Sequence, residues 1–303
     1  MSGRILCLGD ACMDVLLPSY DTLNGRPGQP TAVCGGSVAN TAAGLGRLGA
    51  ACAFCGVAGD DEYGRTMRGA LERDGVDVSL FELRPGLESS VVLICLEEGG
   101  ERVPFLLPRE RHAYLQLRAV PDGVLRQFSL VHTTGMMLFD EPAASAVCAT
   151  LERCRALGVR VSLDLNVRVE SLGKDTRLLR RAIDCADYLL GSEREELLPL
   201  AQAGTAASLA TERRTVIARQ GAEGASVCTP RGVSHCPALP TEVVDTVGAG
   251  DCYNSGFLFA LDRGYSLEDA NRCGCAAASL SLKRRGARSC PDAGTLLKYA
   301  DLA

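Results

Sequence analysis

The stretch VVDTVGAGDCYNSGFLFAL, Val243 to Leu261, sets a carboxylate beside a glycine turn at the point where a helix begins. Asp245 and Asp251 flank Gly248, Ala249 and Gly250, and an apolar run follows at once. A helix that opens on glycines leaves its first N–H groups unpaired and presents the positive end of its macrodipole. That is an anion site, and phosphate is its natural guest. Asp251 could do no more than cap the helix, yet it is also close enough to take a proton from a hydroxyl attacking a bound phosphoryl group. Donors aimed at developing charge contribute roughly 3–4 kcal/mol each, and a positioned base about 10²–10⁴-fold in rate. Turn and carboxylate together are the minimum equipment for phosphoryl transfer to an alcohol.

Upstream of this stretch, short apolar runs ending at Gly or Asp alternate with helical spacing. RILCLG (4–9), ACAFCGVA (51–58), SLVHTTG (129–135), VRVSLDL (159–165), ADYLLG (186–191) and TVIARQG (215–221) read as strands. Residues 37–49, 62–73, 141–157, 174–185, 249–263 and 266–282 carry the helical period. This alternation predicts an α/β fold: one doubly wound, mainly parallel sheet flanked by helices, spanning residues 1–303 as a single domain. Two segments break the pattern. Residues 12–33 hold Pro18, Pro27 and Pro30 without a helical period, and residues 88–108 read as two strands about a turn at Glu98-Gly99-Gly100. Both are expected to form a small β excursion suited to act as a lid, the plain alternative being an edge hairpin.

Of the 303 residues 47% are apolar, enough for a large core, and the net charge of −5 comes with both signs mixed along the chain. That argues against a nucleic-acid groove or a polybasic membrane surface. No stretch approaches 18 uninterrupted apolar residues, so no membrane span is expected. The N-terminal MSGRILCLGD lacks the features of a signal peptide. With fifteen scattered Cys, the simplest reading is a cytoplasmic protein with reduced thiols. Cys52 and Cys55 form a C-x-x-C, but no second pair completes a zinc site, and the surrounding run reads as strand.

GLGRLG, Gly44 to Gly49, fits a dinucleotide motif literally. It falls late in a helical segment rather than between a strand end and a helix start, so close helix packing is the better account. The useful glycines come earlier. Gly35-Gly36 precedes Ser37, a good N-cap, and Asn40 sits in the first turn that follows, while Asp14 lies shortly after the first strand. Paired glycines expose backbone, and Asp14 and Asn40 beside bare backbone suit the hydroxyls of a polyol. A glycine turn with an ordinary cap is the competing account.

Gly35-Gly36-x-x-x-Asn40 with Leu48-Gly49, and Asp245-Thr246-x-Gly248-Ala249-Gly250-Asp251, resemble the two signatures of the ribokinase-like, PfkB-type carbohydrate kinases. They stand in the right order about 210 residues apart. Gly59-Asp60-Asp61 with Gly64, Asp164-x-Asn166-x-Arg168 and Gly221-x-x-Gly224 also match, so the resemblance covers almost the whole chain. It implies transfer of the ATP γ-phosphate to a sugar hydroxyl with Mg²⁺, Asp251 as base and the amides of Gly248, Ala249 and Gly250 as the anion hole. Asp14, Gly35, Gly36 and Asn40 would hold the sugar, and Gly221 and Gly224 would lie along the nucleotide.

Three positions depart from the family pattern. Ser192-x-x-Glu195 stands where Asn-x-x-Glu is common; Glu195 fits an indirect contact to Mg²⁺, while Ser192 offers a hydroxyl in place of an amide. Arg219 stands where many members have Thr or Lys, and can pair with phosphate. Cys290 replaces a Ser oxygen near the place where some members bind K⁺, close to Asp245, Val247 and Gly286, so a monovalent cation is allowed rather than required.

Arg109 and Arg168 fall where members acting on 2-keto-3-deoxygluconate or fructose meet their substrate, and two guanidinium groups suit a carboxylate. Seven Phe, seven Tyr and no Trp mark no stacking wall for a nucleobase. A nucleoside kinase or ribokinase on the same fold, and a sugar sensor without catalysis, remain the alternatives. The resemblance also allows a homodimer through the lid.

Overall fold

The computed structural model describes residues 3–17, 30–96, 102–106, 112–167, 175–201 and 204–302. Nine strands form the main sheet in the order β13-β12-β11-β10-β9-β8-β1-β4-β5. Its strands are β1 (Ile5–Leu8), β4 (Cys52–Gly59), β5 (Asp77–Arg84), β8 (Leu130–Thr134), β9 (Arg160–Asp164), β10 (Tyr188–Ser192), β11 (Thr215–Arg219), β12 (Ala225–Thr229) and β13 (Gly232–Cys236). The run from β5 to β11 is parallel throughout, and β12 and β13 join antiparallel at one edge. All six strands read from sequence are here. β5, β12 and β13 were not anticipated.

The chain winds outward from β1 to β4 and β5, then returns to build β8 to β11 on the other side of β1. Ligand crevices in such sheets open at the carboxyl ends of the strands near this reversal. Among the described residues the helices of at least seven residues are α1 (Ser37–Arg47), α2 (Glu62–Arg73), α3 (Ala143–Leu157), α4 (Arg177–Cys185), α5 (Ala249–Asp262), α6 (Leu267–Ser281) and α7 (Ala293–Tyr299).

Both faces of the sheet are buried, and β1 shows how. Ile5 and Cys7 enter the core with residues of α1, α2, α5, α6 and α7, while Leu6 and Leu8 enter a second core with α3 and α4. Alternate side chains of a strand point to opposite faces, so a strand covered on both sides reads as an unbroken apolar run. The C-x-x-C cysteines lie inside β4, and burial pushes both thiols up to about 12. No cluster of metal-ligating side chains occurs among the described residues. Of the GLGRLG glycines Gly44 serves helix contact, a Cβ there standing 2.2 Å from Ser255 Oγ on α5, and Gly46 passes close to the Asp74 carbonyl, while Gly49, at φ +74°, meets no atom within 4 Å.

A separate four-stranded sheet has the order β3-β2-β6-β7, from β2 (Cys12–Leu17), β3 (Thr31–Gly35), β6 (Val91–Leu96) and β7 (Arg102–Leu106). It is built from the two segments that break the strand–helix alternation. The turn at Glu98-Gly99-Gly100 lies outside the described residues.

Candidate active site

One cleft of about 490 Å³ lies between the carboxyl ends of the main sheet, the first turns of α1 and α5, and the small sheet. Cys12, Asp14, Val92 and Ile94 supply its small-sheet wall. Gly36, Ser37 and Asn40 come from the start of α1, and Thr246 to Asp251 from the start of α5. Asp10, Asp164 and Arg219, each at or just past a strand end, form the floor.

The glycine turn before α5 is shaped by a local requirement. Gly248 has φ +76°, and a Cβ there would stand 2.4 Å from the Ala287 carbonyl oxygen. Only glycine meets both conditions without displacing the neighbouring loop. Among the described residues the amides of Gly250 and Asp251 make no hydrogen bond, as the geometry of a helix start requires. Asp245 ties the turn down from outside: its carboxylate accepts from Val247 N at 3.1 Å and from Gly286 N at 2.9 Å.

Asp251 is half-buried at this helix start, lines the cleft and faces α1. Ser37 Oγ donates to its Oδ1 at 2.6 Å, and Asn40 Nδ2 donates to its Oδ2 at 3.0 Å. Burial pushes its carboxyl up to about 7, helped by the nearby carboxylates of Asp164 and Asp10 and opposed by the two hydrogen bonds. A carboxyl titrating near neutrality is poised for general-base work.

Ser37 is therefore not the cap expected from sequence. The N-cap position is Gly36, and the cap comes from the end of β1. Asp10 accepts from Ser37 N at 2.9 Å and Val38 N at 3.2 Å, which frees the Ser37 hydroxyl for Asp251.

Arg219 is anchored rather than free-swinging. Its guanidinium forks onto Asp164 with contacts of 2.6 and 3.0 Å, and donates to Asn254 Oδ1 at 3.0 Å. Asn254 Nδ2 in turn donates to Asp164 at 2.7 Å. The side chains of Asp164 and Arg219 are 3% and 16% exposed, so this is a buried pair with its hydrogen bonds supplied. Burial lowers the Arg219 pKa, but Asp164 above all, then Glu196 and Asp251, more than reverse that.

Past β10 a single π-type turn, Glu193–Leu197, divides two neighbouring glutamates. Glu196 turns inward and accepts from Ser192 N at 2.6 Å and Val167 N at 2.9 Å; burial, with Asp164 nearby, pushes it up to about 7. Glu195 stays exposed and accepts from the Ser192 hydroxyl.

Of the residues expected from sequence, Asp14, Gly36, Asn40, Arg219, Val247, Gly248, Ala249, Gly250 and Asp251 line one cleft. Gly35 backs Asp14, whose Oδ2 lies 2.2 Å from where a Gly35 Cβ would be. Ser192 and Glu195 sit at the carboxyl end of β10, and Gly221 and Gly224 bound the β11–β12 turn; none of these four lines the cleft. Arg109 and Arg168 lie outside the described residues. Asp10, Ser37 as a partner of Asp251, Asn254 and Glu196 were not anticipated. Two of them carried a readable signal: Asp10 directly follows an apolar strand, and Asn254 lies three residues past Asp251 on the same helix face.

Comparison with known proteins places the chain in the class of phosphotransferases that use an alcohol as acceptor. A family model described as pfkB family carbohydrate kinase matches residues 2–293. The chain is 34% identical over 271 residues to a fructokinase of Klebsiella pneumoniae, covering 86% of this chain and 85% of the relative. It is 30% identical over 293 residues to an aminoimidazole riboside kinase of Salmonella typhimurium, covering 91% and 89%. A crystal structure of aminoimidazole riboside kinase from Salmonella enterica, complexed with aminoimidazole riboside and an ATP analog, superposes with a TM-score of 0.82 at 28% identity, covering 98% of this chain and all of that one. The chain belongs to the pfkB family of carbohydrate kinases. No helix among the described residues is long and apolar enough to cross a membrane.

Proposed function

We propose that the protein transfers the γ-phosphoryl group of ATP to a hydroxyl of a small sugar, fructose-like or a 2-keto-3-deoxygluconate-like sugar acid, with Asp251 as the base. The observation that carries this is the placement of the Asp251 carboxyl, held by Ser37 and Asn40, beside the free amides of a glycine-opened helix in one cleft. Asp251 takes the proton of the acceptor hydroxyl. The oxygen attacks the γ-phosphorus, the bond to the β–γ bridging oxygen breaks, and ADP leaves. The amides of Gly248 and Gly250 face the charge gathering on the transferred group, where preorganised donors act most strongly; the Ala249 amide donates to the Thr246 carbonyl at 3.3 Å and would join them only on leaving it.

Asp14, Gly35, Gly36 and Asn40 would orient the sugar from the lid side. Gly221 and Gly224 would bound the nucleotide, with Arg219 fixing the floor beneath the phosphates through Asp164. Ser192 and Glu195 offer hard oxygen donors, which fit Mg²⁺ through its bound waters. When bound, Mg²⁺ neutralises the phosphate oxygens. Asp245 and Val247, clasped to Gly286, would frame a site for K⁺; activity retained fully after exchange of K⁺ for tetramethylammonium would remove that assignment.

The fructose-like choice is supported by the fructokinase relative. The sugar-acid choice rests on Arg109 and Arg168. A second reading, phosphorylation of a riboside, is favoured by the aminoimidazole riboside kinase relative and its structure. ADP release measured against fructose, 2-keto-3-deoxygluconate, ribose and ribosides decides among them. Arg168→Ala should raise KM for a sugar acid far more than for fructose, and equal effects would remove the basis of the sugar-acid assignment. No turnover with any acceptor would overturn the kinase reading itself.

A further inference from the structure

Arg288 lies in the loop after α6, behind the wall of the cleft rather than on its surface. Its backbone is held to α1, since Arg47 Nη1 donates to the Arg288 carbonyl at 2.8 Å. From its side chain, Nε donates to Asn40 Oδ1 at 3.3 Å. Both terminal nitrogens are buried and, among the described residues, find no hydrogen-bond partner. Leaving buried donors unmade is costly, so the one bond this guanidinium does make calls for an explanation.

Asn40 supplies it. A primary amide carries a donor end and an acceptor end that exchange on a half-turn. With Nδ2 toward Asp251 the amide favours the carboxylate; with Oδ1 toward Asp251 it would favour the protonated acid. Arg288 can only donate, so it holds Oδ1 on its own side and leaves Nδ2 for the base.

We propose that Arg288 is a positioning residue for phosphoryl transfer: by holding the Asn40 carbonyl it locks the amide in the orientation that keeps Asp251 ionised. The kinetic half of this rests on Asp251 being the base. The other groups facing Asp251 are Asp10, Asp164, Arg219 and Ser37. Those around the Arg288 guanidinium are Cys12, Asp14, Cys34 and Asp74. None of the latter set bonds to Asp251.

The test compares Arg288→Met, which removes the donor, with Arg288→Gln, which keeps an amide donor without the charge. Titration of the Asp251 carboxyl is followed by NMR of protein labelled at the aspartate Cγ, with Asp251→Asn assigning the resonance. In Arg288→Met the Asp251 midpoint should rise by about one pH unit, the worth of one hydrogen bond to a carboxylate. The acid limb of kcat/KM should move with it, a loss of about tenfold at pH 6 and under threefold at pH 9. Arg288→Gln should restore both. An unmoved midpoint in Arg288→Met, or the same rise in both variants, overturns the proposal. If the wild-type chain transfers no phosphate to any acceptor, the base reading falls while the NMR titration still decides what Arg288 does to Asp251. A variant that fails to fold is read through Arg288→Lys, which keeps the donor and should titrate as wild type; a raised midpoint there overturns the proposal.

Discussion

Replacing Asp251 with Asn should abolish turnover and, above neutral pH, stabilise the fold. A carboxyl that titrates near 7 in the folded protein and at 3.8 when free binds its proton more tightly folded than unfolded. Its stabilising contribution is therefore complete below the unfolded pKa and is lost as pH rises through the folded one. At pH 8 the ionised group costs about 4 kcal/mol relative to pH 3. Asparagine carries no such cost. Its amide turns Oδ1 to Asn40 Nδ2 and Nδ2 to the Ser37 hydroxyl, which then accepts, so both contacts survive as neutral bonds in place of charge-assisted ones, at about 1–3 kcal/mol. The net expectation is a gain of about 1–3 kcal/mol at pH 8, vanishing or reversing at pH 4, with kcat down by about 10²–10⁴. Urea denaturation at the two pH values gives the first quantity and coupled ADP release the second. The reasoning is refuted if kcat stays within tenfold of wild type, or if the variant loses more stability at pH 8 than at pH 4.

Three further expectations follow from the same geometry. The wild-type kcat/KM profile should show an acid limb near pH 7 and fall about tenfold per pH unit below it; a limb near pH 4 would mean that Asp251 is not the essential base. Arg219→Met leaves Asp164 and Glu196 buried without their shared cation and should cost about 3–5 kcal/mol in urea denaturation at pH 8, and less at pH 5 where Glu196 protonates. Gly248→Ala drives a Cβ to 2.4 Å from Ala287 O, whereas Gly221→Ala, at φ +61°, meets no atom within 4 Å. The first should lower the thermal midpoint well beyond the second, whose cost is only the left-handed strain of about 1–2 kcal/mol; equal midpoints would show that the Ala287 contact is soft.

The parts of the fold that were readable from sequence are those buried on two faces. β1, β4 and β8 to β11 are runs of apolar residues because helices cover both sides of them. β5 and β13 are the edge strands, where charged and polar residues interrupt the run: β5 reads DVSLFELR, and β13 is largely exposed, whereas β12, buried inside β13, is short and carries Ser226 and Thr229 in its run. In the two edge strands the period is hidden by partial solvation rather than missing. In the site, the glycine turn and Asp251 were legible because the motif is contiguous. Asp10 and Asn254 stood at positions with a readable signal, but their partners, like the real role of Ser37, were hidden because each acts through a residue far away in the chain. Nothing local to Ser37 reveals that its helix is already capped by Asp10 and that its hydroxyl is free for Asp251. His132 is buried against Ser162 at 3.0 Å, and burial pushes its imidazole down to about 4.

The bond from Ser37 to Asp251 spans 214 positions of the chain. Such a contact closes only after both halves of the sheet have formed and their helices have docked, and distant pairings of this kind come late and slowly. Regained turnover would thus report the last stage of refolding, lagging behind the return of helical signal, and a nascent chain still lacking its final third would have no working base to misuse.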